Sequence, residues 1–448
     1  MVDHAQNRLS GRTIAAIATP PGRGGVGVVR VSGPRAHAIG LSLSRRTQLH
    51  PRYCHFATFR DGHGQALDEG LVIYFPGPHS FTGEDVVEVH GHGGPAVMHG
   101  LLQAIFALGA EPAEPGEFTR RAYLNDRMDL SQAEAVAELI EADSASAARA
   151  ALRSLEGEFG RLVEQLADDL IELRMFVEGA LDFPDEDVDF IADGHVLSRL
   201  DELLAQLDHL RERASQGVRL GEGFVVVLAG QPNAGKSSLL NRLSGRESAI
   251  VTARAGTTRD VLRESVAVAG FPVELVDTAG LRESTDVVEQ EGIRRTRDQV
   301  ARADRIIYLV DAAVGWQPGD ESEWAALPAD RRLRVWTKAD LAAAPAGAVA
   351  VSATAAEPGV EPLLAALADE LTGAEPGDAL GARQRHLDAL DRVRDHLNAA
   401  AATLRAHGSG DLAAQDLRWG LDALGEITGR VHSDDLLGRI FATFCIGK

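Results

Sequence analysis

Cysteine is almost missing: the chain of 448 residues has two, Cys54 and Cys445. Two thiols so far apart give neither a disulfide framework nor the ligand spacing of a metal site, which fits a reducing compartment. Long apolar runs are missing as well. No stretch approaches the roughly 18 to 20 uncharged apolar residues of a membrane span, so no membrane role is expected. The opening residues, Met-Val-Asp-His-Ala-Gln-Asn-Arg, lack the basic start and apolar core of a secretory signal, and cytoplasm is the expected location. Positive charge is in short supply: 45 Lys and Arg face 66 Asp and Glu, a net charge of −21. That excludes a protein that coats nucleic acid through general phosphate attraction, which needs a basic face. A small local basic patch, or a basic partner that holds RNA, stays compatible.

What is present describes a folded, water-soluble chain. Apolar residues make up 45% and charged residues 25%, and the length calls for about two to four domains. The most specific stretch is Gly230-Gln-Pro-Asn-Ala-Gly235-Lys236-Ser237, set between a strand-length apolar run, Phe224 to Ala229, and a helical start at Leu239. Its glycines let backbone N–H groups close around phosphate oxygens. Lys236 reaches the β- and γ-phosphates, and Ser237 offers its hydroxyl to magnesium. Asn233, Ala234, Gly235 and Ser238 complete this phosphate loop.

Taken in order, residues 1 to 125 read as a mixed α/β unit. Thr13 to Thr19, Gly27 to Ser32, Leu71 to Phe75 and Asp85 to His90 have the β-branched enrichment and the turn boundaries of strands. Glu88 falls on the face opposite Val87 and Val89. Pro20 to Val26 is expected as a glycine-rich loop, and Gly91 to Pro95 as a glycine-rich corner before a helix. From 126 to 221 the pattern is helical. Ser131, with Glu134 three residues on, is the expected N-cap of a helix whose apolar face runs through Ala137, Leu139, Ile140, Ala147 and Leu152. Two more helices follow, one ending near Asp182 and one from His195 to Ser215. Residues 222 to 373 alternate strands with helices, the signature of a mostly parallel sheet with helices on both faces. Residues 374 to 448 return to helices, so the α/β unit is expected as an insertion in a helical domain. The last residues, Phe441 to Lys448, are too apolar for a frayed tail.

Downstream of the phosphate loop, further nucleotide-site parts follow in order. The segment Thr252, Ala253, Arg254, Ala255, Gly256, Thr257, Thr258 supplies a threonine for magnesium, and Thr258 is the expected ligand beside Ser237. Asp277-Thr278-Ala279-Gly280 follows a strand: Asp277 can hold a magnesium-bound water, and the Gly280 N–H can meet the γ-phosphate. Thr337-Lys338-Ala339-Asp340 ends another strand, where a carboxylate can accept both guanine N–H groups; Ser352-Ala353 completes the base pocket. Together these make a Ras-like phosphate-loop GTPase unit. Two departures stand out. Thr337 occupies a position where GTPases usually carry Asn. Leu281 stands where Ras-like enzymes place a water-orienting glutamine, and an apolar side chain cannot orient water, so Glu289 is the nearest candidate carboxylate. With no arginine finger, Asn233 and oxygens of the 252 to 257 loop are suited to hold potassium against the phosphates.

These features, with Pro20-Pro-Gly-Arg-Gly-Gly-Val-Gly27, Phe81-Thr-Gly-Glu-Asp85, Gly91-His-Gly-Gly94, Pro115-Gly-Glu-Phe118, Leu124-Asn-Asp126 and Cys445-Ile-Gly-Lys448, closely resemble the MnmE/TrmE family of tRNA uridine-modification GTPases over essentially the full length. The resemblance implies an N-terminal domain (1 to 125) that binds 5-formyl- or 5,10-methylene-tetrahydrofolate and forms a homodimer. It also implies a helical domain (126 to 221 and 374 to 448) interrupted by a GTPase domain (222 to 373). Matching positions give folate-binding Arg30, Glu88, Arg127 and Lys448, with Arg127 standing where better-known members carry lysine. The same carry-over gives potassium-binding Asn233, Thr252, Arg254 (through its carbonyl) and Thr257, with Glu289 orienting water. Family members act on tRNA with an MnmG-type flavoprotein, carrying FAD and using NADH, in a heterotetramer. They install an aminomethyl or carboxymethylaminomethyl group at C5 of the wobble uridine, the carbon coming from folate. Cys445 is read as a small packed residue beside the folate rather than a nucleophile.

Two other readings stay open on sequence alone. A ribosome-assembly GTPase can share the apolar residue after Asp-Thr-Ala-Gly, although no basic RNA-binding signature is present. A folate-dependent methyl- or formyl-transferring enzyme with a regulatory GTPase insert is the other.

Overall fold

The computed structural model describes residues 11–142, 144–182, 195–244, 263–269, 271–277, 303–371, 378–407, 409–431 and 434–447. The chain divides into two compact units: Met1–Ala137 with Leu155–Ala205 and Ala389–Lys448, and Glu138–Ser154 with Gln206–Asp388. Neither is a continuous stretch of sequence.

The first unit begins with β1 (Ile14–Ile17), β2 (Gly24–Ser32), α1 (Ala36–Ser44), β3 (His55–Arg60), β4 (Ala66–Phe75), β5 (Val86–Gly93), α2 (Pro95–Ala107), β6 (Glu111–Pro112) and α3 (Glu117–Leu124). The strands form one six-stranded sheet in the order β3-β4-β5-β2-β1-β6. Only the β1–β6 pair is parallel. Period-two alternation sorts the side chains. Val29, Val31, Val87 and Val89 are buried with Ile39, Leu43, Leu101 and Ile105 of α1 and α2, while Arg30 and Glu88 pair on the opposite face. β3 is not among the strands expected from the sequence.

Two glycine-rich stretches expected as loop and corner are so only in part: Pro20 to Arg23 and Gly94 lie outside strands, but β2 already starts at Gly24 and β5 runs to Gly93. The reason is close approach. A Cβ at Gly93 would lie 2.8 Å from the carbonyl oxygens of Gly24 and Val26, so only bare backbone lets the two strands meet there.

Helices follow: α4 (Leu130–Glu141), α5 (Ala145–Leu155), α6 (Glu158–Asp182) and α7 (His195–Glu222). The cap expected at Ser131 is displaced. Asp129 accepts from the N–H of Gln132 (2.9 Å) and from the Ser131 hydroxyl (2.6 Å), so the carboxylate takes the capping role and Ser131 is buried in the first turn. The single apolar face expected through Leu152 also fails, because α4 and α5 are separate helices and Ile140 and Leu152 are exposed.

The inserted α/β segment comprises β7 (Phe224–Ala229), α8 (Lys236–Ser244), β8 (Arg263–Val268), β9 (Phe271–Asp277), β10 (Arg305–Asp311), α9 (Pro318–Ala326), β11 (Arg332–Thr337), β12 (Val349–Ala350) and α10 (Glu361–Leu371). Its sheet has the order β12-β11-β10-β7-β9-β8, parallel except at the β8–β9 edge. Both faces are buried, as a parallel sheet requires. Val226, Leu228, Ile307 and Leu309 pack with Leu239, Leu243, Leu363 and Leu367 of α8 and α10. Val227, Val276 and Ile306 line the other face.

The chain then completes the first unit with α11 (Gln384–His407), α12 (Gly410–Thr428) and α13 (Asp434–Ala442). Helix α12 lies along α6. Leu437, Ile440, Phe441 and Phe444 form a core with Leu130, Ala133 and Ala137. Beyond them, Gly447 is buried, whereas Cys445 and Ile446 are exposed. The packed place expected for Cys445 is therefore not found. Among the described residues, no helix is long and apolar enough to cross a membrane.

Candidate functional site

In a parallel sheet, ligands gather at the carboxyl ends of the strands, and there the nucleotide residues converge. β7 ends at Ala229, β10 at Asp311 and β11 at Thr337, with Asp311 and Thr337 in register. The loop after β7 turns at Gly230 (φ +132°), where a Cβ would come within 2.4 Å of the Leu309 carbonyl oxygen, so glycine is required. Asn233 forms the exposed crest in the left-handed region (φ +64°), a conformation Asn tolerates better than most residues.

Lys236 opens α8 and is buried at 7% exposure, its ammonium donating to the carbonyls of Gly230 (2.7 Å) and Gln231 (2.9 Å). The cation is thereby folded into the loop that it serves. The first N–H groups of α8 have no partner within the helix and carry its positive dipole end, which suits a phosphate. Ser237 and Ser238 are exposed beside them. Ser237 gives a hard oxygen donor fit for magnesium, and the exposed amide of Asn233 gives one fit for potassium.

The base-recognition segment is tied directly to this loop. Thr337 is 4% exposed, and its hydroxyl lies 2.7 Å from the Ala234 carbonyl and 3.2 Å from that of Val310. One hydroxyl proton can serve one of these acceptors at a time, and the shorter distance favours Ala234. Lys338 (φ +55°) pairs with Asp311 at 2.6 Å. The exposed carboxylate of Asp340 is held below the usual range, chiefly by a hydrogen bond from Ser352, with help from Thr354. Thr354 donates to it at 3.4 Å and was not singled out by sequence reasoning. Ser352 is itself buried and accepts from the Ala355 N–H at 3.0 Å. Asp340 is thus an exposed, ionised acceptor, the kind of group that could accept the N–H groups of a base. Ala339 and Ala353 lie in the same two loops.

Asp277 closes β9. The expected contributions of Thr252, Ala253, Arg254, Ala255, Gly256, Thr257, Thr258, Thr278, Ala279, Gly280, Glu289 and Lys448 fall outside the described residues.

The first unit holds a cavity of about 580 Å³ lined by Arg52, Phe75, His79, Ser80, Phe81, Val86, Glu88 and Arg127. Glu88 accepts from Arg30 at 3.0 Å on one oxygen and meets His90 Nε2 at 3.2 Å on the other. Its carboxyl is held below the usual range, first by the His90 hydrogen bond and then by Arg30, against the opposing effect of burial. Arg30 does not line the cavity. It stands behind Glu88, its guanidinium 5.1 Å from the Phe81 ring centre and 5.8 Å from that of Phe118. Glu88 and Arg127 come together on the cavity wall, then, while Arg30 holds Glu88 in place. Arg52 and His79 were not legible from the sequence, because an arginine in an irregular loop carries no pattern.

Comparison with known proteins adds two matches to family models. One, the GTP-binding protein TrmE N-terminus, covers residues 13–127, and the other, the MnmE helical domain, covers 130–445. Full-length relatives are equally close. The tRNA modification GTPase MnmE of Stutzerimonas stutzeri (strain A1501) is 51% identical over 450 residues, covering 97% of this chain and 99% of that one. The proteins of the same description from Pseudomonas putida (strain KT2440) and Pseudomonas syringae pv. syringae (strain B728a) are each 51% identical, over 453 and 454 residues, with the same coverage.

Proposed function

The chain belongs to the MnmE/TrmE family of tRNA modification GTPases, and on that footing we propose that its GTP hydrolysis drives modification of C5 of the wobble uridine in certain tRNAs. It acts as a homodimer with an MnmG-type flavoprotein in a heterotetramer, the partner contributing FAD and NADH chemistry. A tetrahydrofolate in the N-terminal cavity supplies the carbon that becomes the aminomethyl or carboxymethylaminomethyl group. The functional domains are residues 1 to 125, 126 to 221 with 374 to 448, and 222 to 373.

The observation that carries this reading is the joined nucleotide site: Lys236 inside its own loop, Thr337 reaching that loop, and Asp340 held by Ser352 and Thr354. GTP binds with its phosphates on the N-terminus of α8 and its base on Asp340. Entry of the phosphates gives the Lys236 ammonium anionic oxygens in place of two carbonyls, which draws the loop around the nucleotide. Magnesium on Ser237 and Thr258, and potassium on Asn233, Thr252, Arg254 and Thr257, would neutralise charge on the transferring phosphate. Glu289 orients the water that Leu281 cannot.

In the cavity the Glu88 carboxylate accepts from the amino edge of the pterin, with Arg30 behind it and Arg127 and Lys448 meeting anionic or polar parts of the ligand. Nucleoside analysis of tRNA from a deletion strain tests the conclusion. Loss of the C5-substituted wobble uridine, restored by the intact gene, is expected; unaltered modification would overturn it.

A further inference from the structure

Two arginines that line the N-terminal cavity are held alike. Arg52 donates through Nη2 to the carbonyl of His79, and Arg127 donates through Nε at 3.3 Å to the carbonyl of Ser80. Consecutive carbonyls of one loop thus fix two guanidinium groups on the wall of the same cavity, each by a single donor. Among the described ion pairs neither arginine has a carboxylate partner, and the one carboxylate in the lining, Glu88, is already engaged by Arg30 and His90. Arg52 is further fixed from its backbone. It sits in the left-handed region (φ +57°), costly for a residue with a Cβ, and its N–H donates to the Tyr74 carbonyl at 2.8 Å. Its guanidinium carbon is 5.8 Å from the centre of the Phe75 ring, another lining residue.

The lining thus combines an engaged acceptor, Glu88, with two guanidinium groups that have no carboxylate partner among the described ion pairs. It suits a ligand that has N–H donors at one end and carboxylates at the other. Resting on the folate reading above, we propose that Arg52, together with Arg127, forms a carboxylate subsite that takes the glutamate tail of the folate while Glu88 takes the pterin ring. The planar fork of Arg52 has donors left over for a carboxylate oxygen pair, which a lysine ammonium matches less well.

The test uses the full chain, with 5-formyl-tetrahydrofolate titrated calorimetrically and tail-less 6-methyltetrahydropterin measured by competition. Arg52→Gln should weaken folate binding by about tenfold to a hundredfold, the range of a lost charge-assisted pair. Tetrahydropterin affinity should stay within about twofold, and Arg52→Lys should fall between wild type and Gln for folate. Equal loss for both ligands, or unchanged folate binding in Arg52→Gln, would overturn the subsite. Wild-type protein that binds neither ligand would overturn the folate reading itself, and that outcome is seen before any variant is made. A thermal transition of Arg52→Gln matching wild type shows that the fold is intact, and Arg52→Lys keeps the comparison open if it is not.

Discussion

Thr337 stands where GTPases usually carry Asn, and its hydroxyl has a partner in the phosphate-loop segment. The threonine hydroxyl reaches the Ala234 carbonyl, so the base-reading segment and the phosphate loop share a hydrogen bond inside the protein. Thr337→Val should remove that bond and leave a buried carbonyl unpaired, weakening GDP and GTP alike by roughly fivefold, or about 1 kcal/mol. Thr337→Ser should bind close to wild type, and fluorescent-nucleotide titration distinguishes the two. Asp340→Asn acts on a different quantity: preference should shift from guanine to xanthine nucleotides, measured by competition, because the base partner changes while the phosphate grip does not. Glu88 gives a pH prediction. Its folded pKa lies below the ordinary 4.5, so its contribution to stability is full above that value and is lost as pH falls through the lowered pKa. Glu88→Gln should flatten this part of the acid limb in denaturation curves.

Among the elements, one buried cation joins α3 to the loop before β5. Arg121 is 2% exposed and bonds Glu84 at 2.9 Å, Glu117 at 2.8 Å and the Arg12 carbonyl at 2.9 Å. Glu84 in turn accepts from Ser32 at 2.9 Å, which ties the 80 to 85 loop, a wall of the cavity, to β2. Removing one member of such a cluster strands the others, so Arg121→Met should cost about 3 to 5 kcal/mol in chemical denaturation. The pair Arg121→Met with Glu117→Leu should recover part of that loss.

Local patterns set how far the sequence could be read. Phe224 to Ala229 is the strand expected, and Lys236 opens the expected helix, because a strand, a loop with positive φ and a helix start each leave a local signature. Glu88 was placed correctly from alternation alone. The cavity was not legible, since its wall is made from Arg52, Phe75 and the 79 to 81 loop, which only strand pairing brings together. The cap at Asp129 was missed because it competed with an equally good serine two residues on.

For the molecule as a whole, net charge sets a boundary on tRNA binding. With a net charge of −21 the chain alone should hold tRNA weakly, with a shallow dependence on salt, and a complex with the flavoprotein partner proposed above should bind more tightly with a steeper slope. Equal slopes in filter-binding titrations would refute that division of labour. GTP turnover should be several-fold faster in potassium than in sodium at equal ionic strength, and adding the partner should preserve the ratio. Indifference to the cation would remove potassium from the site.

Phe441 and Phe444 pack beside Leu130 and Ala133, and the Tyr123 hydroxyl donates to the Gly429 carbonyl across 306 positions of sequence. In a nascent chain the apolar seat of these phenylalanines stays uncovered until residues 441 and 444 have left the ribosomal tunnel. The sheet of the first unit is therefore made long before the helix that completes the same unit. Truncation within α13 should leave the first unit open to proteolysis, even though every residue of its sheet has been made.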